Sequence, residues 1–340
     1  MTNAWNSEWL KALVAGQGLS TELSREIFNR IMDGELDEAQ IAAVLVALAA
    51  KGETVEEITG AALAMRAHAR RLDTGGRDVI DTCGTGGTGL RTFNISTAAA
   101  LVAAGAGASV AKHGNRTATR PSGSADVLAA LGVNIDVEVE IEARCLVEAG
   151  VCFCFAIRHH PAMKCAAPVR RALAVRTIFN VLGPLTNPAG ATRQVMGVFS
   201  DALVEKIASV LAALGSRRAM VVHAEDGLDE FSTISPTKVA ELRDGRVTVR
   251  MVTAEEFGFR RASLSDIEIG SPQESAQRVR DVLAGRSGPS RDIVVLNAAA
   301  ALAVADKAAT IAEAIPLAVR SIDSGAASAV LARLVAASNR

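Results

Sequence analysis

The sequence predicts an α/β protein: a small all-helical domain leading into a larger α/β domain with a central, mostly parallel sheet flanked by helices. Three observations predict it. Apolar residues recur three and four apart from about Leu10 to Leu72. After the break Asp73-Thr74-Gly75-Gly76, short apolar runs alternate with helical stretches, as in a parallel sheet covered by helices on its faces. The chain's 340 residues, 49% of them hydrophobic, suffice for one large domain or two unequal ones.

Each element has a local reason. Asp37-Glu38-Ala39-Gln40 and Thr54-Val55-Glu56-Glu57 read as capping boxes that start helices in the first domain. The Asp73 to Gly76 stretch reads as a hinge. Beyond it come a strand at Val79-Ile80, a helix over 95–106, a strand at Ser109-Val110-Ala111, helices over 124–131 and 141–149, and a strand over 151–157. The stretch from His159 to Pro188 interrupts this rhythm with helical, arginine-rich sequence and the rigid GPLTNP loop, and is expected to pack back on the first helices. Strand, helix and strand resume over 194–199, 202–214 and 219–223. Residues 239–242 and 246–252, joined by Arg243-Asp244-Gly245, predict an antiparallel hairpin, and two or three helices over 272–338 close the chain. The expected division is 1–72 with 160–188 as the helical domain, and 73–159 with 189–340 as the α/β domain.

Composition excludes several classes of function. Thirty-six Lys and Arg nearly balance 37 Asp and Glu, so no general field attracts a nucleic-acid backbone. Aromatic residues are 3% with no Tyr, which leaves few stacking platforms for single strands. The longest apolar run, 98–110, is too short to span a bilayer, and the N-terminus lacks the pattern of a secretory signal, so a cytoplasmic location is expected. Cys83, Cys145, Cys152, Cys154 and Cys165 show neither C-x-x-C nor a zinc spacing and read as buried thiols. Alternation along a strand puts Cys152 and Cys154 on one face.

The most informative stretch is 81–97, DTCGTGGTGLRTFNIST. Glycines at 84, 86, 87 and 89 let main-chain N–H groups approach an anion closely. The spacing satisfies G-x-G-x-x-G after a strand, but the acid expected about 20 residues on for a ribose is replaced by Lys112-His113-Gly114-Asn115-Arg116. An NADP dehydrogenase tolerates that replacement, whereas a Walker A loop is excluded for want of a terminal Gly-Lys-Ser/Thr. A turn that merely packs strand on helix explains one or two glycines, with Ser96 or Thr97 then a simple helix cap. It does not account for Asn94, Ser96 and Thr97 gathered at a helix start, where an anion site forms beside free N–H groups. With Lys112 and Arg116 at the end of the neighbouring strand, phosphate is the better reading.

Taken together, GTGG…TFNIST, KHGNR, SGSAD, HHPAMK…VRR, RTIFNVLGPLTNP and DGLDE, in this order, resemble the anthranilate phosphoribosyltransferase family. The resemblance implies transfer of the 5-phosphoribosyl group of phosphoribosyl pyrophosphate to anthranilate, with Mg2+, two ions per site, in a homodimer of a tryptophan-biosynthetic enzyme without nucleic-acid or membrane partners. It implies a phosphoribosyl pyrophosphate site at Gly84, Gly87, Thr88, Thr92, Asn94, Ile95, Ser96, Thr97, Lys112, His113, Gly114, Asn115, Arg116, Thr119, Arg120 and Ser124. It implies magnesium at Ser96, Asp229 and Glu230, where carboxylates supply the hard oxygen ligands the ion prefers. Arg170 matches the position that meets the anthranilate carboxylate, with Gly84, His113, Asn115 and Pro184 completing that pocket. No side chain is expected to act as nucleophile.

Some readings stay open. Arg170 is otherwise a helix-surface arginine, as Arg171 is read to be, and His113 is otherwise a structural histidine. His159 and His160 are read as loop and helix-cap residues. Two positions depart from the family: Thr88 replaces an acid after the paired glycines, and Arg120 replaces a small serine, either adding or blocking a phosphate contact. Relatives of the family that bind nucleic acid, and pyrimidine nucleoside phosphorylases, are the alternative functions.

Overall fold

The structure is a computed structural model that describes residues 7–116 and 121–340. Four helices open it: α1 (Ser7–Val14), α2 (Thr21–Asp33), α3 (Glu38–Lys51) and α4 (Val55–Ala67). The capping boxes at Asp37/Gln40 and Thr54/Glu57 both form, each closing its donors within one turn. Gly34, in the left-handed conformation, ends α2.

The α/β part runs β1 (Val79–Asp81), α5 (Ile95–Gly105), β2 (Ser109–Gly114), α6 (Ser124–Ala130), α7 (Val139–Ala149), β3 (Val151–Phe155) and α8 (Ala156–His159). Short helices α9 (Ala167–Leu173) and α10 (Phe179–Leu182) follow, then β4 (Arg193–Gly197), α11 (Leu203–Ala213), β5 (Arg218–Ala224), β6 (Thr237–Arg243) and β7 (Arg246–Val252). Four helices close the chain, not two or three: α12 (Pro272–Leu283), α13 (Pro289–Val304), α14 (Ile311–Asp323) and α15 (Ala326–Ser338). Helix α13 is buried along nearly its whole length, so apolar periodicity alone does not mark where it begins and ends among its neighbours.

The seven strands lie in the order β3-β2-β1-β4-β5-β6-β7. The first five are mutually parallel and the last two antiparallel, so the expected mostly parallel sheet is borne out. The hairpin turns through Asp244 and Gly245, both at positive φ, the conformation that matches the twist of paired strands. Strand order reverses between β1 and β4, and open parallel sheets bind ligands at the carboxyl ends flanking such a point.

Alternate residues of the central strands enter two apolar cores. Val195, Met220 and Val222 face one core with α5, α7 and α12 to α15. Met196, Val198, Ala219 and Val221 face the other, shared with α1 to α4, α9, α10 and α11. The segment 166–185 thus packs on the opening helices, as its apolar pattern predicts. Main-chain bonds from Arg70 to His159 and from Leu72 to Pro188 tie together three passages of chain between the helices and the sheet. No single helix among the described residues is long and apolar enough to cross a membrane.

Candidate active site

The glycine turn leaves β1 at its carboxyl end and reaches α5 only at Ile95, so it is a long loop rather than the direct strand-to-helix turn of a dinucleotide fold. Gly86, Gly87 and Gly89 all have positive φ, which glycine adopts without strain. Thr85 N–H donates to the Gly197 carbonyl at 2.8 Å, Gly86 N–H donates to Asp229 Oδ2 at 2.9 Å, and the Arg176 guanidinium donates to the Gly87 carbonyl at 2.9 Å. Thr88 Oγ1 accepts from Leu90 N–H. Strand β1, the end of β4, the loop after β5 and the segment before α10 therefore converge on this turn.

The cap role that the packing-only reading gives Ser96 or Thr97 does not hold at the start of α5. Asn94, not Ser96 or Thr97, stands at the cap position, and its side chain makes no capping bond. Asn94 Oδ1 instead accepts from Ser122 Oγ and Ser275 Oγ, both at 2.7 Å. Ser96 and Thr97 lie inside the first turn, ahead of the first intrahelical bond, from Ala98 to Asn94. Among the described residues Thr97 Oγ1 is buried without a partner, and Ile95 is in the core.

Of the two cations, Arg116 is exposed and paired with Asp126 at 3.1 Å. Lys112 is 3% exposed and lies behind the turn, its Nζ donating to the Thr82 carbonyl at 3.2 Å, Thr82 Oγ1 at 3.3 Å and Ser96 Oγ at 3.2 Å. It joins β2, the turn and α5. Gly114 lets Ser124 and Phe153 approach, since a Cβ there would stand 2.2 Å from Ser124 Oγ. Ser124 Oγ in turn donates to the Asn115 carbonyl, and Asn115 is exposed beside it. Thr92 forms an isolated bridge with Glu268. Thr119 and Arg120 lie outside the described residues.

His113 sits on β2 almost fully buried, its N–H bonded to Asp81 Oδ1 at 3.1 Å. Its Nδ1 is 2.9 Å from the Gly183 carbonyl, which only accepts, so Nδ1 carries the proton and Nε2 is the lone-pair nitrogen. Among the described residues that Nε2 is buried without a partner. Burial, followed by the nearby His160 and His159 rings, holds His113 well below the usual imidazole range. Pro184 adjoins Gly183, and its carbonyl accepts from Gln194 Nε2 at 2.8 Å. Burial pushes Asp81 up to about 6 against the opposing pull of Lys112 and the Asn187 amide.

Arg170, on α9, is half-buried, with its guanidinium 5.3 Å from the centre of the Phe179 ring. Burial pushes it below the usual arginine range, and among the described residues it makes no hydrogen bond or ion pair. Arg171 is exposed. The histidine pair departs from its expectation in part. His160 does cap the turn Pro161–Cys165, but His159 ends α8 fully buried, bonded to Glu142 Oε2 and to the Arg70 carbonyl, both at 2.6 Å. Burial opposes its charge, yet Glu142 and the Arg70 carbonyl outweigh that and raise its pKa.

Asp229 and Glu230 occupy the loop after β5. Asp226 Oδ1 accepts from Leu228 N–H, its Oδ2 accepts from Ser232 Oγ, and Leu228 returns a carbonyl to Ala224 N–H. Asp229 is 5% exposed. Two adjacent carboxylates and the Ser96 hydroxyl are all hard oxygen donors, a set that fits magnesium. A separate cleft of about 570 Å³ lies between α12 and the start of α13, and none of these site residues lines it.

Sequence reasoning missed Gly197, Arg176 and Asn187. A Cβ on Gly197 would stand 1.6 Å from the Asp229 carbonyl oxygen, so only glycine admits the acidic loop; its signal was a lone glycine ending a strand pattern. Arg176 also stacks on Phe199 at 4.4 Å. Asn187, within the GPLTNP loop, donates to Asp81 Oδ2 at 2.7 Å and to the Ala111 carbonyl at 2.8 Å.

The chain is similar to known proteins along most of its length. Residues 7–69 match the helical bundle domain of a glycosyl transferase family, and residues 76–328 match its a/b domain. The anthranilate phosphoribosyltransferase of Thioalkalivibrio sulfidiphilus is 54% identical over 96% of both chains, and that of Caulobacter vibrioides is 52% identical over 97% of this chain and 96% of its own. The crystal structure of the Thermus thermophilus anthranilate phosphoribosyltransferase superposes with a TM-score of 0.92 at 42% identity, covering 100% of both chains. The Saccharomyces cerevisiae enzyme in complex with phosphoribosyl pyrophosphate and Mg superposes at 0.89 with 27% identity, covering 98% of this chain and 97% of its own. By sequence along nearly its whole length, and by fold, the chain belongs to the anthranilate phosphoribosyltransferases of this glycosyl transferase family.

Proposed function

We propose that this protein transfers the 5-phosphoribosyl group of phosphoribosyl pyrophosphate to the amine of anthranilate, giving N-(5-phosphoribosyl)anthranilate and pyrophosphate. The observation that carries the reading is the bond between Gly86 N–H and Asp229 Oδ2, which joins a phosphate-type turn to an acidic pair 143 residues further on. The reaction displaces pyrophosphate at the anomeric carbon through an oxocarbenium-like state, so positioning and charge neutralisation are the chain's tasks.

The turn at Gly84 and Gly87, Thr88, Thr92, and the α5 start at Asn94, Ile95, Ser96 and Thr97 offer main-chain N–H and hydroxyl groups to the donor's phosphates. Gly114, Asn115, Arg116 and Ser124 line the far side, with Lys112 supplying positive charge from beneath. Thr119 and Arg120 continue that side in sequence. Arg170 meets the anthranilate carboxylate, with Gly84, Asn115 and Pro184 around the ring. The unpartnered Nε2 of His113 is a ready acceptor for an N–H of that substrate. Ser96, Asp229 and Glu230 are the residues that would hold Mg2+, two ions per site, and the ion when bound neutralises the departing pyrophosphate.

The functional division is that of 1–72 with 160–188 against the rest, a homodimer joined through the helical part, working in the cytoplasm. Val14 and Val46, exposed on α1 and α3, support such a face. The test mixes the chain with anthranilate, phosphoribosyl pyrophosphate and Mg2+ and follows anthranilate fluorescence. Loss of fluorescence that needs both donor and metal is the expected result. A salt-sensitive shift of DNA with no turnover would contradict it.

A further inference from the structure

Helix α13 is buried along most of its length and rich in alanine, yet carries Asn297 at its centre, 3% exposed. A buried amide is costly in such surroundings unless its polar atoms are bonded. Here they are. Asn297 Oδ1 accepts from Phe231 N–H at 3.0 Å, while Nδ2 donates to the carbonyls of Phe231 and Ile293, both at 2.8 Å. The partners dictate the amide's orientation, because the reverse would set donor against donor and acceptor against acceptor. The side chain therefore pairs with Phe231 as an adjacent strand would.

Phe231 directly follows Glu230, and the N–H that Asn297 receives belongs to the peptide joining them. Holding that peptide restricts the direction in which the Glu230 side chain leaves the backbone, provided the chain on the other side of Glu230 is held as well. The neighbouring carboxylate is held from the opposite flank, where Gly86 N–H bonds Asp229 and the bare Cα of Gly197 admits its main chain. Beyond Phe231, Ser232 N–H donates to Thr237 Oγ1 at 3.0 Å and closes the loop onto β6.

We infer that Asn297 is a positioning residue for divalent metal: it acts through the Glu230–Phe231 peptide and sets where the Glu230 carboxylate stands. The inference rests on the assignment of Asp229 and Glu230 to the metal proposed above. Outer residues that orient metal ligands commonly change metal affinity 10- to 100-fold when lost.

The test titrates the full chain with Mn2+ in the presence of inorganic pyrophosphate, followed by electron paramagnetic resonance, alongside the Mg2+ dependence of anthranilate consumption. Asn297→Asp keeps the volume and one acceptor but turns a second oxygen on two carbonyls. Asn297→Ser is the milder change. Both are expected to weaken Mn2+ binding by about tenfold or more, to raise the Mg2+ needed for half-maximal rate in step, and to leave the anthranilate KM within about twofold. Saturating Mg2+ restores most of the turnover. Folded variants with wild-type Mn2+ affinity would overturn the inference, as would loss of the fold in both, since a structural role would then suffice. A wild-type chain that binds Mn2+ with pyrophosphate but leaves anthranilate untouched defeats the proposed reaction alone. One that binds no Mn2+ defeats both.

Discussion

Gly197 has no room for a methyl group, because its Cβ would fall inside the Asp229 main chain. Neither neighbour is a flexible side-chain end, so Gly197→Ala must displace the acidic loop. We expect it to lower turnover by about 100-fold or more, in line with misplacing a catalytic constellation by an ångström, and to lower the melting temperature. Wild-type kinetics in that variant would contradict the packing. Arg170 makes the opposite case, for the half-buried guanidinium rests on the Phe179 ring with its donors uncommitted among the described residues. Removing a hydrogen bond to a charged partner costs about 1.5 to 3 kcal/mol, so Arg170→Ala is expected to raise the anthranilate KM roughly 10- to 100-fold while the donor KM stays close to wild type. Unaltered anthranilate saturation would remove the assignment. In sequence only the VRR motif and its company single out Arg170, since nothing local separates it from the exposed Arg171.

Between elements, β2 meets the crossing segment after α8 through His113 and His160, whose ring centres are 5.1 Å apart. Both are held below the ordinary imidazole value, chiefly by burial, with His160 down to about 4. The unfolded chain takes up protons at these rings as the pH drops below 6.5, and the folded chain does not. These two rings therefore lower stability as the pH goes from 6.5 towards 4, opposed by the Asp81 carboxyl, which burial raises to about 6 so that the folded chain takes up its proton first. His160 alone contributes on the order of 3 kcal/mol of acid destabilisation, and His160→Leu is expected to make the urea midpoint shift towards higher stability at pH 4 relative to pH 6.5, compared with the wild type. An unchanged shift would show that the ring is not buried neutral. The elements show where sequence reading succeeds and where it stops. The capping boxes of α3 and α4 were legible because donor and acceptor stand three residues apart. The start of α5 at Ile95 was legible too, but its lack of a side-chain cap was not, because Asn94 is held by Ser122 and Ser275, 28 and 181 residues away. The hairpin was legible from Asp244-Gly245, whose positive φ values are local chemistry.

Across the whole molecule, the strand order places the ends of β1, β4 and β5 side by side, and the candidate site is assembled there from three distant stretches of chain. Sequence motifs named the glycine turn and the acidic pair separately. Their contact through Gly86 and the clearance at Gly197 depend on the β1–β4 reversal, which no periodicity records. If this assembly is one site, removing the carboxylates should affect the donor half of the reaction and not the recognition of anthranilate. The double variant Asp229→Ala with Glu230→Ala is expected to lose about 100-fold or more in turnover, comparable to losing a main electrostatic contributor, and to keep the anthranilate KM within about threefold of the wild type. The most direct measurement is the Mg2+ dependence of anthranilate consumption in wild type and double variant at saturating phosphoribosyl pyrophosphate. A steep Mg2+ requirement is expected in the wild type, and the variant loses it along with its activity. Equal rates in the two proteins, or wild-type turnover indifferent to Mg2+, would contradict it.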